Sequence, residues 1–252
     1  MRRLDIMGVE ILDTTLDEIT KALEEDLQRG NKVKVFTPNT EIVMAARKSI
    51  RLRDEVNKGT YVIPDGIGLL HGARLRGVEI RERVTGYDTS MELLRIANDN
   101  GYSLFLIGGR EGVAEEAAMN IQRDYPGIRI AGHHHGYFKG THTNSPGEEE
   151  ERVIELIHKS KADIIFVGFG FPRQEVWINS HMDNLGVKVA IGNGGVIDIL
   201  AGRAKRAPEI FIKLGLEWLY RLISDPSRIK RQIVLPLFLI RVMLEKDSIK
   251  RL

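Results

Sequence analysis

Short runs of branched apolar residues alternate along this chain with longer stretches in which apolar positions return every three or four residues. The short runs read as buried strands and the longer stretches as amphipathic helices. Leu4–Leu12 predicts a small edge strand or hairpin. Thr15 and Glu18 have capping-box spacing, and the helix they open is predicted to reach Arg29 with Ile19, Leu23 and Leu27 on one face. Val33–Phe36 is the first inner strand and Tyr61–Ile63 the next, with a helix through Val43, Met44 and Ala46 between them. Tyr102–Ile107, Ile128–Ala131, Ala162–Val167 and Val187–Ile191 come next as strands. Helices are predicted over Asp88–Ala97, Val113–Tyr125, Arg173–Leu185 and Asp198–Ala201, and from an N-cap at Ser145 to Lys159. This alternation predicts an α/β fold, an open and largely parallel Rossmann-like sheet flanked by helices.

In such a sheet ligands sit beyond the carboxyl ends of the strands. The residues just past each apolar run therefore carry the candidate chemistry. Thr37-Pro38-Asn39 succeeds the first inner strand and Pro64-Asp65-Gly66 the second. Asp65 is placed to accept a proton or a ligand hydrogen bond, although Asp-Gly is also turn chemistry. Thr37 and Asn39 read equally as ligand contacts or as a turn with an N-cap. Gly108 and Gly109 lie between a strand and a helix, where backbone amides can cradle phosphate. Neither a full G-x-G-x-x-G nor a P-loop is present, so NAD-linked hydride transfer and ATP hydrolysis lose support. His133, His134 and His135 are adjacent and cannot all converge on one metal from regular structure. A polar loop touching an acceptor or a nucleobase fits better. The stretch Ala162–Ile178 joins a strand, the turn Gly168-Phe169-Gly170-Phe171-Pro172 and a helix that opens with Arg173, Gln174 and Glu175. Gly192-Asn193-Gly194-Gly195 is a second glycine-rich turn. Between Gly72 and Gly86 the chain is basic and reads as irregular; Arg74, Arg76, Arg81 and Arg83 either line an anion site or are solvated.

Composition adds bounds. A chain of 252 residues, 42% hydrophobic and 29% charged, can bury a real core. Without cysteine there are no disulfides and no thiolate chemistry. No stretch approaches the roughly 18 apolar residues of a membrane-spanning helix. The formal charge of +2 hides an asymmetry: from Arg203 onward there are 12 Lys or Arg against 5 Asp or Glu, and before it 25 against 30. Pro208–Ile223 reads as one amphipathic helix, Asp225-Pro226 breaks it, and cationic and apolar clusters alternate to the end. This suits an interfacial segment at an anionic membrane, or a lid packed on the sheet. The expected division is a catalytic α/β domain, 1–207, and a basic amphipathic helical appendage, 208–252. Removing Ile210–Leu252 is expected to leave a folded sheet domain.

Several ordered motifs together resemble the WecG/TagA/CpsF family of bacterial glycosyltransferases, most closely its teichoic-acid mannosaminyltransferase branch. They are Thr37-Pro38-Asn39 with Glu41, Pro64-Asp65-Gly66, Arg83-Val84-Thr85-Gly86-Tyr87-Asp88 and His134-His135-Gly136-Tyr137-Phe138. Gly170-Phe171-Pro172-Arg173-Gln174-Glu175, Gly192-Asn193-Gly194-Gly195, Arg206-Ala207-Pro208 and Gly215–Leu222 complete the set. Arg173 stands where the family usually has Lys, and Phe171 where a small residue is common. The resemblance implies an inverting transfer of N-acetylmannosamine from UDP-ManNAc to undecaprenyl-diphosphate-linked GlcNAc, giving a β-1,4 linkage. Another UDP-sugar donor, such as UDP-ManNAcA, is the alternative. It implies Asp65 as base, Thr37 and Asn39 near the acceptor, Arg83 and Gln174 in the pocket, and Arg221, Arg228 and Arg231 on a diphosphate. Gly108, Gly109, His135 and Gly194 join the expected substrate-binding set. No cofactor and no metal are expected, since the chain has no D-x-D pair to bridge a nucleotide-sugar diphosphate; arginines are the natural substitute. The expected setting is the cytoplasmic side of the membrane, bound peripherally. Homo-oligomerisation stays open. A non-catalytic membrane scaffold and a nucleic-acid-binding protein are the readings of other classes, the latter weakened by an acidic body without a nucleic-acid motif.

Overall fold

The chain opens with a hairpin, β1 (Arg2–Ile6) and β2 (Val9–Asp13), closed by Met7 and Gly8, both at positive φ as tight hairpin turns require. The structure, a computed structural model, describes Arg2–Leu252 except for the side chains of Arg221, Arg228 and Lys230. α1 (Leu16–Arg29) starts where Thr15 Oγ1 accepts from Glu18 N and stops at Gly30 in the left-handed region. The Glu18 carboxylate does not close the capping box; it pairs with Arg81, which holds it down to about 2.

The inner strands and their crossovers continue as β3 (Val33–Phe36), α2 (Thr40–Lys48), α3 (Ile50–Asn57), β4 (Tyr61–Val62), α4 (Ile67–Leu75) and α5 (Gly86–Asn100). Next come β5 (Ser103–Gly108), α6 (Val113–Asp124), β6 (Arg129–His134), α7 (Glu148–Ser160), β7 (Ile164–Gly168), α8 (Arg173–Leu185), β8 (Val189–Gly192) and α9 (Val196–Leu200). The last part is α10 (Glu209–Lys213), α11 (Glu217–Ser224), α12 (Ile229–Gln232), α13 (Val234–Leu244) and β9 (Ile249–Arg251). Six strands form one parallel sheet in the order β4-β3-β8-β7-β5-β6, and β2-β1-β9 form a separate antiparallel sheet.

The apolar runs are continuous because both faces of the parallel sheet are covered. Successive side chains divide between two cores. Leu104, Leu106, Phe166 and Ile191 join α1, α5, α6 and α9 on one face. Phe105, Ile107, Ile165, Val167 and Ala190 join α7 and α8 on the other. A third core ties the hairpin to α2, α4, α13 and β9 through Leu4, Ile6, Val43, Leu69, Phe238, Val242 and Ile249.

Several local expectations change. α4 runs into the stretch expected to be irregular, with Leu69, Leu70 and Ala73 buried despite the surrounding arginines. β6 continues through His133 and His134, so two of the three histidines belong to an edge strand rather than a loop. α7 is preceded by Gly147, not capped by Ser145; Ser145 N instead donates to Gly140 O inside the preceding loop. The single helix expected over Pro208–Ile223 is broken at Gly215, φ 70°, into α10 and α11.

The segment after residue 207 is not uniform. Large apolar side chains of α10–α12 and their junctions are exposed, among them Leu214, Ile223 and Ile229. α13 and β9, by contrast, are built into the third core, where a Cβ on Gly72 would lie 2.6 Å from the Phe238 ring. Cutting at Ile210 would therefore strip the hairpin of β9 and the third core of Phe238, Val242 and Ile249, while leaving the two cores of the parallel sheet their own residues. Among the described residues no helix is long and apolar enough to cross a membrane.

Candidate active site

Six parallel strands end on one edge, and every predicted site residue outside the 83 and 221–231 regions lies at or just past one of those ends. In spatial order the rim carries Asp65 after β4, Thr37 and Asn39 after β3, Asn193 and Gly194 after β8, Gln174 after β7, Gly108 at the end of β5 with Gly109 next, and His135 after β6. The chain leaves β3 for α2 and α3, with α3 against α8, and leaves β8 for α9, against α6. Adjacent strands whose crossovers depart to opposite faces open a crevice, the usual ligand position in such sheets.

Asp65 stands on this crevice, half-buried. Its N–H donates to Pro38 O (3.0 Å), which couples the ends of β4 and β3. Its Oδ2 accepts from Gly86 N (3.2 Å), the first residue of α5. The N-terminal end of a helix favours a carboxylate there. Thr37 lies across the same point, because a Cβ on Gly86 would be 3.0 Å from Thr37 Oγ1. Asn39 is the N-cap of α2, its Oδ1 accepting from Ile42 N (3.1 Å). Thus Asp65, Thr37 and the head of α5 converge, and Asn39 holds the adjoining helix in place.

Much of the Arg83–Asp88 motif is architectural. Thr85 caps α5 by accepting from Asp88 N (3.0 Å), and Asp88 accepts in turn from Thr85 Oγ1 (2.7 Å). Arg206 pairs with Asp88 (2.6 Å) and lies 4.2 Å over the Tyr87 ring, which explains why the 206–208 and 83–88 motifs belong together. Arg83 is mostly buried and paired with Glu217 of α11 at 2.8 Å. Arg231 reaches Glu41 at 2.9 Å. These two pairs tie the helices after residue 207 to the Thr37–Asp65 side of the rim. Arg221 and Arg228 lie in α11 and the turn after it, and their side chains are outside the described residues. Three of the four arginines from 74 to 83 have separate partners: Arg81 engages Asp13 and Glu18, Arg76 donates to Met243 O, and Arg83 holds Glu217; Arg74 is exposed on α4. A cleft of about 750 Å³ beside α1 is lined by Arg81 and its carboxylate partners.

The other half of the rim is glycine-built. A Cβ on Gly108 would come within 2.7 Å of Gly168 Cα, so β5 and β7 can meet this closely only without a side chain. Gly136 N donates to Gly109 O (2.9 Å), fastening the histidine segment to the Gly-Gly turn. His134 and His135 rings lie 4.4 Å apart, and Tyr137 beside them is 70% exposed. Burial lowers the His134 pKa from its ordinary value. Gln174 is buried, with Oε1 accepting from Gly170 N (3.1 Å) and Gly194 N (3.0 Å) and Nε2 donating to Glu175 Oε1 (3.0 Å). Arg173, exposed at the start of α8, offers a cation at the rim. Phe171 packs toward the third core. Among the described residues no three carboxylate or imidazole groups gather as metal ligands would.

Three contributors are not singled out as site residues in the sequence: Glu217 and Asn193, which lie inside quoted motifs, and Ser90, which lies in none. Ser90 Oγ lies 2.6 Å from Gly86 O and 3.0 Å from Asn193 Oδ1, linking the head of α5 to the turn after β8. Asn193 stands in a glycine-rich turn and Glu217 in the Gly215–Leu222 motif, which are signals; Ser90 sits in an ordinary helix and gives none.

Known proteins resemble this chain over almost its whole length. The N-acetylglucosaminyldiphosphoundecaprenol N-acetyl-beta-D-mannosaminyltransferase of Staphylococcus aureus strain MRSA252 is 35% identical over 251 residues, 99% of this chain and 95% of that protein. The proteins of the same name from strains MW2 and NCTC 8325 are similar to the same extent. The model of the glycosyl transferase WecG/TagA/CpsF family matches residues 4–251. The Asp65 crevice, the glycine rim and the helices after residue 207 all fall inside that match, and the chain belongs to the WecG/TagA/CpsF family of glycosyltransferases.

Proposed function

We propose that this protein transfers N-acetylmannosamine from UDP-ManNAc to undecaprenyl-diphosphate-linked GlcNAc with inversion, making the β-1,4-linked disaccharide of the wall teichoic acid linkage unit. The observation that carries the reading is full-length similarity to transferases of that name, with Asp65 standing on the crevice. Asp65 takes the proton from the acceptor hydroxyl as its oxygen attacks the anomeric carbon. The bond from that carbon to UDP breaks, and its electron pair leaves with the diphosphate. Thr37 and Asn39 orient the acceptor. The Gly108, Gly109 and Gly194 backbone, with His135 and Gln174, shapes the donor side. Arg83 and, from the C-terminal helices, Arg221, Arg228 and Arg231 balance the diphosphate charge, in place of a metal. In the resting pairs Glu217 and Glu41 hold two of these arginines, and the substrate diphosphate would compete for them.

The acceptor is lipid-linked, so the protein must reach a membrane surface. Exposed Leu214, Ile223, Ile229, Ile233, Leu237 and Leu244, interspersed with Lys and Arg, suit an interfacial contact on the cytoplasmic face. The experiment is a panel of UDP-sugars with a short-chain GlcNAc diphosphate lipid in excess EDTA, the product read by mass spectrometry. A HexNAc addition from UDP-ManNAc alone is expected. A product only from a uronic donor, or only on restoring Mg²⁺ or Mn²⁺, overturns the donor or the metal part respectively.

A further inference from the structure

Gln174 and Glu175 head α8 and are 5% and 2% exposed. The Gln174 carbonyl accepts from Gly170 in the turn after β7 and from Gly194 in the turn after β8, so one oxygen ties two neighbouring strand-end loops. An amide in the opposite sense would set its NH₂ against two N–H donors. Glu175 Oε1 decides the sense by accepting from Gln174 Nε2 at 3.0 Å. Gly192 supplies the room: a Cβ there would lie 2.7 Å from that same Nε2. Glu175 Oε2 is buried with no hydrogen-bond partner among the described residues. Burial pushes the carboxyl up to about 7, against the opposing pull of its own backbone N–H and of Gln174. A proton on the second oxygen leaves the first free to accept.

We propose that Glu175 is a positioning residue for the nucleotide-sugar donor: by fixing the orientation of the Gln174 amide it sets the gap between the Gly170 and Gly194 turns against which the nucleoside diphosphate rests. Glu175 touches no substrate. A bare structural role would cost stability and leave the surviving folded enzyme with ordinary kinetics. The positioning role instead weights the loss toward donor binding. The inference rests on reading the rim as a UDP-sugar site.

The test titrates UDP calorimetrically and measures transfer to a soluble short-chain acceptor, using the full chain. Glu175→Gln keeps an acceptor oxygen in the same shape; UDP affinity and donor KM should stay within about threefold of the parent. Glu175→Met keeps the volume and loses the acceptor; donor KM and the UDP Kd should rise about tenfold, roughly the loss of one net hydrogen bond, with kcat within about threefold. Gly192→Ala disturbs the same amide from the other side and should reproduce that KM-weighted loss, which keeps the test intact where Glu175→Met fails to fold. An active parent with a Glu175→Met variant that binds UDP equally well overturns this inference alone, as does a Glu175→Gln variant as impaired as Glu175→Met. A parent that binds no UDP overturns the functional reading and this inference with it.

Discussion

Along the carboxyl edge of the parallel sheet, polar groups are tied down by short contacts to backbone; over Glu209–Leu244, apolar groups are left outside. The rim shows the first construction at Gln174, whose amide is engaged at both ends, and at Asp65, held by Gly86 N. The second appears at Ile223, 66% exposed in α11, which is joined to the body through Arg83–Glu217, and at Leu244, 74% exposed at the end of α13. Positions fixed by many short contacts suit chemistry that tolerates little displacement. Exposed apolar surface next to cations suits a partner that is soft, extended and anionic. The difference separates a rim built for fixed geometry from C-terminal helices whose apolar surface stays open to a partner, and α13 belongs to both constructions by burying Phe238 and exposing Leu237.

The severest break in this comparison is expected at Asp65. Asp65→Asn keeps the shape and the acceptor toward Gly86 N but cannot take a proton. Loss of a general base costs about 10²–10⁴-fold in rate. Single-turnover transfer should fall by that much while the UDP Kd changes by less than about threefold. Turnover within about threefold of the parent would remove Asp65 from the base role.

Next in size is Phe238, the point at which the C-terminal segment stops behaving as an attachment. Its ring is fully buried between α4 and the hairpin, against Gly72. Phe238→Ala should cost about 3–5 kcal/mol of stability in urea unfolding. Leu237→Ala, one residue away and 49% exposed, should cost far less. Equal losses would mean that α13 does not pack as described.

Glu175 supplies a pH test on the rim. Its folded pKa of about 7 lies above the ordinary 4.5 because burial disfavours the charge. Between those values the native chain keeps a proton that the unfolded chain has released. Its contribution is therefore full below 4.5 and is lost as pH rises toward 7. Relative to the parent, Glu175→Gln should gain stability across that window, by about 3 kcal/mol at most, and stay level above it. Parallel stability-versus-pH curves for the two proteins would show that Glu175 does not titrate high.

Much of this is legible in the sequence for a physical reason. A two-face-buried strand must be an apolar run, and a parallel sheet must put the ends of those runs on one edge. Asp65, Thr37, Gln174 and Gly194 are therefore brought to one rim by the pattern alone, and the sheet order bears this out. Pairings between distant segments are not legible. Nothing local to Arg83 announces Glu217, and nothing in Ser90 announces Asn193. Local pattern also loses to tertiary burial: α4 extends past Gly72 to Leu75, into a stretch that reads as irregular, because Leu69, Leu70 and Ala73 have a core to enter. The histidine run reads as a loop in sequence since its residues are polar, yet an edge strand has one neighbour and tolerates polar side chains.

The gentlest intervention concerns what would drive the proposed membrane contact. A count of charges after Arg203 suggests that electrostatics leads, but several of those cations already have partners. Arg203 is paired with Glu116, Arg206 with Asp88, Arg231 with Glu41 and Arg241 with Glu245. Each such pair must open before its cation can serve a lipid phosphate fully. The apolar side chains need no such exchange. Leu237, Ile240 and Met243 stand 49%, 47% and 57% exposed on the outer side of α13, opposite buried Phe238 and Val242. Burying them in an interface gains about 25 cal/mol per Å² of apolar surface, whereas each cation near an anionic surface gains about 1 kcal/mol and loses it to salt. Replacing all three by Gln should change folding stability by no more than about 0.5 kcal/mol per site. It should lower co-sedimentation with phosphatidylglycerol vesicles severalfold, at low and at high salt alike. Transfer to a vesicle-borne acceptor should fall in step, and transfer to a short soluble acceptor should be preserved. If the triple variant sediments like the parent and only salt releases it, charge leads and the apolar face of α13 is a surface for something else.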